Sequence, residues 1–350
     1  MSNDAAPAWP VKTRELHTLQ LKSTRWNGFK FRDDDIIIAT YAKSGTTWTQ
    51  QIVGQLLHGG AEGINVSKLS PWVEMRILPD EIFDAIESQT ARRFVKCHLP
   101  ADALVYSPRA KYIHVGRDGR DVAWSFHNHD FNADDVLFER YNAARPEGVP
   151  LWERGPADPR EYYARWFTQN SYPIWPFWDH IRSWWAIRGL PNLLVLHYAD
   201  LKRDLAGSIR KIARFLEIEI DEARWPAILE HCSFAYMKQN AAQIAPLGGA
   251  MWKGGGQTFI NKGVNGRWRD ALSEGEIAAY EARALAELGP ECAAWLAHAG
   301  RPGSGLRRRP YRPTFSPQNG GRKRSPLHPH PSPHAQPLLR PVFRLIGHLA

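Results

Sequence analysis

Three times along the chain, an apolar β-rich run gives way to a turn and then to an apolar stripe of helical period. The first is "DDDIIIATY" into "TTWTQQIVGQLLH", where Trp48, Ile52, Val53, Leu56 and Leu57 fall on one helical face. The second is "AKYIHVGR" into "DGRDVAWSFHNH". The third is "NLLVLHYADL" into "LAGSIRKIARFL", with Leu205, Ile209, Ile212 and Leu216 as its stripe. Strand–helix alternation of this kind predicts an α/β fold, a central parallel sheet flanked by helices on both faces. Ligands of such sheets collect at the carboxyl ends of the strands, so the turns after Tyr41, Val115 and Leu196 are expected around one crevice. No second core pattern and no repeat is visible, which predicts one domain over residues 1–300.

Composition adds a boundary. Residues 301–350 carry ten Lys/Arg, no Asp or Glu, and ten of the 26 prolines. A segment of that kind cannot bury enough apolar surface to offset the entropy of ordering, so it reads as a basic, disordered tail. It could bind polyanions weakly, although an appendage without a part in the chemistry is the favoured reading. Its lack of acids would also suit a shifted reading frame. The tail also accounts for the whole formal charge of +9, because the first 300 residues hold 35 basic against 36 acidic groups. A nearly neutral body gives no bulk-charge argument for nucleic acid. Cys97, Cys232 and Cys292 are isolated and outside metal-ligand spacing, which fits a reducing cytoplasm. No run of eighteen apolar residues exists, so no membrane span is expected. The N-terminus lacks the basic start and apolar stretch of a signal peptide.

The candidate chemistry begins in the first turn, "YAKSGTTW". A helix N-terminus leaves backbone N–H groups unpaired and carries partial positive charge. Lys43, Ser44, Gly45, Thr46 and Thr47 stand where a phosphate would accept those hydrogens, with the threonine hydroxyls and a mobile cation added. The bland reading is an ordinary strand–helix turn with a solvated lysine. The loop is shorter than G-x-x-x-x-G-K-[ST], and its lysine precedes the glycine, which suits a single 5′-phosphate bearing one further group better than a triphosphate.

"YAKSGTTW" resembles the 5′-phosphosulfate loop of the cytosolic-type sulfotransferase family, written Y-P-K-S-G-T-T-W, with Ala42 in place of the proline. The likeness extends, in order, over about residues 30–270. "FVKCHLP" resembles K-T-H-L-P, with Cys97 for threonine; strand alternation sends Lys96 and His98 to one side and Cys97 to the other. A strand histidine is otherwise more often simply packed. "YIHVGRDGRDVAWSFHNH" resembles the 3′-phosphate segment and selects Arg117 and Ser125, while Asp118, Arg120 and Asp121 read as surface or helix-start charges. "LVLHYADLKRD" selects Tyr198, and "EHCSFAYMKQN" selects Cys232, Ser233 and Phe234, the last reading equally as a purine-stacking ring or a core residue. "FINKGVNGRWRD" resembles F-x-R-K-G-x-x-G-D-W-K, giving Asn261, Lys262 and Gly263, with Asn261 for the arginine and Arg267 for the aspartate. The family's dimerisation motif has no counterpart in "RDALSEGEIAAYE", and the oligomeric state stays open.

What the resemblance implies is a single P-loop-like domain that moves a sulfuryl group from 3′-phosphoadenosine 5′-phosphosulfate to a hydroxyl or amine of a small apolar or aromatic acceptor. His98 matches the general base, Lys43 the leaving-oxygen cation, and Ser125 a hydroxyl that holds Lys43 back. Lys96 stands beside His98, Trp48 closes the loop motif, and no metal is required. Trp72, Phe131 and Trp252 are candidates for the acceptor pocket, Trp184 and Trp185 for the core, and the glycine-rich stretch 239–258 for a mobile lid or a plain loop. Two other classes compete. A P-loop kinase or NTPase would need magnesium and a carboxylate at a neighbouring strand end. A non-enzymatic polyanion-binding protein would act through the tail.

Overall fold

In the computed structural model, which describes residues 9–297, four short strands form one all-parallel sheet in the order β2-β1-β3-β4. They are β1 (Ile36–Ala39), β2 (Phe94–Cys97), β3 (Lys111–Gly116) and β4 (Leu193–His197). Five helices carry the two outer layers: α1 (Thr46–Leu57), α2 (Gly119–Phe131), α3 (Phe177–Ala186), α4 (Leu205–Leu216) and α5 (Glu274–Ala297), the last interrupted at Gly289. The basic tail lies outside the described residues.

The strands read as continuous apolar runs because both faces are covered. Successive residues of β1 go to opposite sides. Ile36 and Ile38 join Ile52, Val53 and Leu56 of α1 and Ile209, Ile212 and Leu216 of α4. Ile37 and Ala39 join Val122 and Trp124 of α2, Ile181, Trp184 and Trp185 of α3, and Tyr280 of α5. The stripes predicted for α1 and α4 are therefore the faces that pack, and Trp184 and Trp185 are core. A third, smaller cluster gathers Leu19, Leu137, Tyr141, Trp152 and Trp252 beside the sheet.

Topology fixes where a ligand can sit. The chain leaves β1 for β2 on one side and returns to β3 on the other, so α1 and α2 leave neighbouring strands toward opposite faces. The crevice between the carboxyl ends of β1 and β3 is the switch point of the sheet.

Of the two readings given to Asp118, Arg120 and Asp121, surface or helix-start charges, the helix-start one holds for the two acids, with Asp118 the N-cap and Asp121 in the first turn of α2. Asp118, Arg120 and Asp121 are all buried. Asp118 caps α2 by accepting from Arg120 N (2.9 Å), and its other oxygen takes Arg120 Nη2 at 2.7 Å. The Arg120 guanidinium lies between the rings of Trp268 (3.7 Å) and Tyr280 (4.5 Å). Arginine tolerates this burial because its planar, weakly hydrated fork stacks while it hydrogen-bonds.

At the opposite edge of the sheet, Asp35 and Arg93 form a bidentate pair at 2.6 and 2.8 Å, both almost fully buried. Replacing Arg93 by Met would leave a buried carboxylate uncompensated, so R93M is expected to lose about 3–5 kcal/mol in urea unfolding. D35N/R93M, which removes both charges, is expected to recover much of that loss.

Candidate active site

The turn after β1 sets the site. Lys43 (φ 64°) and Gly45 (φ 99°) are both left-handed, which swings the chain out of the strand and into α1 within a few residues. Gly45 is the N-cap of α1 and offers no capping side chain, so the opening amides of that helix point at the crevice without a protein oxygen of the usual kind. Thr46 Oγ1 pairs with Thr40 Oγ1 at 2.6 Å, which ties the two ends of the turn together. Arg117, the first residue after β3, donates to Lys43 O (2.8 Å) and to Asn265 Oδ1 (2.8 Å), and its guanidinium lies 4.3 Å from the Tyr198 ring centre. Its Nε is buried and has no partner, as is Ser44 Oγ.

These residues open on a cavity of about 300 Å³. Of the sequence-selected residues it is lined by Lys43, Gly45, Thr46, Thr47, Trp48, Lys96, His98, Arg117, Ser125, Tyr198, Phe234, Asn261, Lys262 and Gly263. Three others stand back from it. Ser44 is buried beneath the turn. Cys232 is in the core, where its carbonyl accepts from Trp48 Nε1 at 2.7 Å. The Ser233 hydroxyl caps helix Phe234–Gln239 by accepting from Tyr236 N. Phe234 is not a core residue: its ring is 43% exposed and lies over Gly263, where a Cβ would stand 2.7 Å away.

The electrostatics are one-sided. Among the described lining residues, Lys43, Lys96, Lys262, Arg117 and Arg267 face a single carboxylate, Asp121. Asp121 accepts from Gly266 N at 2.6 Å, and burial raises its pKa to about 6 against the pull of Arg117. Burial lowers Lys43 to about 7, and the charges that act on it, Arg117 and Lys96, are both positive. Burial lowers Lys96 to about 8, with Glu74 opposing. A desolvated cluster of cations at a helix N-terminus is a site for a polyanion.

His98 follows β2 directly and is buried. Its Nδ1 is 2.6 Å from Thr40 O. A carbonyl can only accept, so Nδ1 carries the proton and Nε2 keeps a lone pair. Burial, then Lys96 and Lys43, hold the imidazole well below its ordinary pKa, so it is neutral at pH 7. The predicted alternation holds, since Cys97 points into the core. Glu74 completes the mount, a residue sequence reasoning missed because an acid in "SPWVEMRILP" reads as solvated. It is fully buried and accepts from His98 N (2.5 Å), Trp72 Nε1 (2.7 Å) and Trp26 Nε1 (2.8 Å).

Beyond His98 the cavity is apolar, with Trp72, Met75, Leu78, Leu137, Tyr141 and Trp252 in its wall. Trp72 and Trp252, two of the acceptor-pocket candidates, thus both line this cavity. Phe131 is not; it is an exposed residue stacked on His127. The stretch 239–258, read as a mobile lid or a plain loop, is not a plain loop. It folds as short helices, Ala241–Ile244, Pro246–Gly249 and Gly255–Phe259, joined through left-handed Gly249 and Gly254. It is pinned by Asp134 N to Met251 O (2.9 Å) and Lys253 N to Asn132 O (2.8 Å). Of the carboxylates near the strand ends, Asp118 after β3 is bound to Arg120, and Asp121, which lines the cavity, accepts from Gly266 N, while β2 runs into His98.

Comparison with known proteins agrees with this geometry. A family model described as a sulfotransferase domain matches residues 33–288. The chain is 32% identical to a glycolipid sulfotransferase of Mycobacterium bovis, over 84% of this chain and 97% of that protein. It is 32% identical to the dog sulfotransferase 1B1, over 69% and 79% respectively. Among solved structures, it resembles a retinol dehydratase in complex with androsterone and the inactive cofactor PAP, at 25% identity and a TM-score of 0.58 over 76% of this chain and 83% of that one. A mouse sulfotransferase complexed with PAP shares the fold, with a TM-score of 0.61 at 22% identity, over 79% and 92%.

At Gly45, a Cβ would stand 2.9 Å from the Tyr198 ring, on a backbone that side-chain-bearing residues rarely adopt. G45A is expected to lower stability by about 1–3 kcal/mol in chemical denaturation, and to displace Tyr198 in a crystal structure of the variant.

Proposed function

The chain belongs to the sulfotransferase family, and from that premise we propose that it moves the sulfuryl group of 3′-phosphoadenosine 5′-phosphosulfate onto a hydroxyl of an apolar alcohol, with His98 as general base. The observation that carries this reading is the one-sided cavity: buried cations around a helix N-terminus, with a neutral histidine at their edge whose Nε2 is free to accept.

The donor, when bound, supplies an activated sulfuryl group on a phosphate leaving group. The residues present fit it. The unpartnered Nε of Arg117 and the acid-free surroundings of Lys43 are unmet demands for an anion. Lys43, Thr46, Thr47 and the opening amides of α1 would hold the 5′-phosphate end. Arg117, Ser125, Lys262 and the 261–263 backbone would hold the 3′-phosphate. Trp48, Tyr198 and the exposed ring of Phe234 would take the purine, while Ser44, Cys232 and Ser233 support that shell from behind.

His98 Nε2 takes the proton of the acceptor hydroxyl as its oxygen attacks sulfur. Burial is the larger cause of the weak basicity of the imidazole, and the repulsion of Lys96 and Lys43 adds to it. Anionic charge between Lys96 and Lys43 cancels the repulsion that depresses His98 and so raises its affinity for a proton. Lys43 and the loop amides then stabilise negative charge where it grows, on the departing bridging oxygen. Lys96, whose ammonium lies 4.8 Å from the Trp72 ring centre, is placed to neutralise the transferring group.

The apolar wall supports an acceptor that is an alcohol with a bulky hydrophobic body, phenolic or aliphatic. The glycolipid sulfotransferase relatives and the androsterone-bound neighbour support that class. Incubation with radiolabelled donor and a panel of phenols, sterols, lipid alcohols, sugars and amines tests it; transfer confined to sugars or amines would overturn the acceptor reading.

H98A is expected to lower kcat/KM by roughly 10²–10⁴ while leaving the affinity for 3′-phosphoadenosine 5′-phosphate within a few-fold of the parent; parental turnover would remove the base assignment. A second prediction follows from the lysines. In the free protein Lys43 sits at about 7 and Lys96 at about 8, and an anion raises both. Nucleotide binding should therefore take up protons between pH 7 and 8, and weaken as the pH rises through that window. Calorimetry in buffers of differing ionisation enthalpy reads the sign directly.

A further inference from the structure

The resemblance assigns Ser125 the task of holding Lys43 back before the donor arrives. In the structure the hydrogen-bonding neighbour of Lys43 is a different residue of α2. His129 lies one turn beyond Ser125, and its Nδ1 is 3.3 Å from Lys43 Nζ. In its protonated form Lys43 has hydrogens to give and no lone pair, so in that state Nδ1 is the acceptor and the imidazole proton sits on Nε2. The surroundings favour that state: burial, then Lys43 and Lys96, depress the affinity of His129 for a second proton.

The ring is also held in place. Trp252 lies 4.8 Å away between centroids, Phe259 5.9 Å, and Phe126 meets it edge-on at 6.0 Å. The Lys43 ammonium itself stands over Phe259, 4.8 Å from the ring centre. Trp252 and Phe259 both line the cavity. The donor lysine and the aromatic wall of the acceptor side thus meet at one imidazole.

We propose that His129 is a positioning residue that holds Lys43 at the aromatic wall in the donor-free protein, so that His129 Nδ1 and the 5′-phosphate oxygens compete for the same ammonium. The inference rests on the donor assignment above. It predicts a gain of affinity on mutation, which loss of structure would not produce. H129F keeps a ring against Trp252, Phe126 and Phe259 but removes the acceptor, freeing Lys43 for the nucleotide. H129N places a carbonyl oxygen near the position of Nδ1 and keeps the competition.

Two measurements decide it. Calorimetry with 3′-phosphoadenosine 5′-phosphate is expected to show H129F binding about tenfold tighter than the parent, the scale of one charge-assisted hydrogen bond, with H129N close to the parent. Nitrogen-15 NMR of the donor-free protein is expected to show His129 Nδ1 as an accepting, unprotonated nitrogen whose resonance moves in K43M and again when the nucleotide is added to the parent. The proposal is overturned if both variants weaken binding, if they change it by the same factor, or if the Nδ1 resonance is unmoved by K43M. A parent protein that binds no nucleotide would defeat the donor assignment instead, and the donor-free comparison with K43M would still decide the role of His129.

Discussion

The arrangement of this molecule depends on keeping two lysines, an arginine and a histidine desolvated around one crevice, with Glu74 acting on Lys96 and, among the described residues, no acid acting on Lys43. Like charges brought together in a medium of low dielectric repel, and burial adds to the cost. The surrounding structure has to hold them rigidly enough that they cannot relax into solvent. It does so with aromatic mass and with polar groups tied to backbone. Trp72 and Trp175 flank His98. Arg117 grips the carbonyl of Lys43. The Glu74 carboxylate braces His98 and two indoles from below. In the proposed reading, an anion bound in the crevice would relieve that repulsion.

Much of this frame is legible in the sequence, because the relevant physics is local. Apolar period marks the stripes of α1 and α4, and four-residue strands buried on both faces can only be written as runs such as "IIIA". The alternation Lys96, Cys97, His98 needs nothing beyond the period of a strand. The turn at Lys43 and Gly45 is marked by the glycine, whose left-handed backbone few other residues accept.

What stayed illegible depends on partners distant in sequence. Arg120 reads as a surface or helix-start charge because nothing nearby announces Trp268 and Tyr280, which arrive about 150 residues later to cover the guanidinium. Glu74 looks like a solvated acid until Trp26, His98 and Trp72 converge on it. The glycine-rich stretch 239–258 reads as mobile because glycine lowers local propensity. In the fold, backbone hydrogen bonds fasten it to residues 132–134, and its glycines serve the tight turns between short helices.

The departure at Asn261 can be followed to its consequence. An arginine there would add a cation to the corner that faces the 3′ end of the proposed donor. In its absence the corner is not left apolar. Arg267 lines the cavity where the family pattern has an acid, so one positive charge is gained at the same rim. The loop that carries both residues is fastened from below, Gly266 N donating to Asp121 and Asn265 accepting from Arg117. Asp121 and Arg117 both belong to the segment that follows β3, so the 261–267 loop is fastened to that strand end. In the proposed reading a cation displaced by six residues along a loop held in that way would serve the same anion, because guanidinium contacts depend on where the fork is presented and not on which residue presents it.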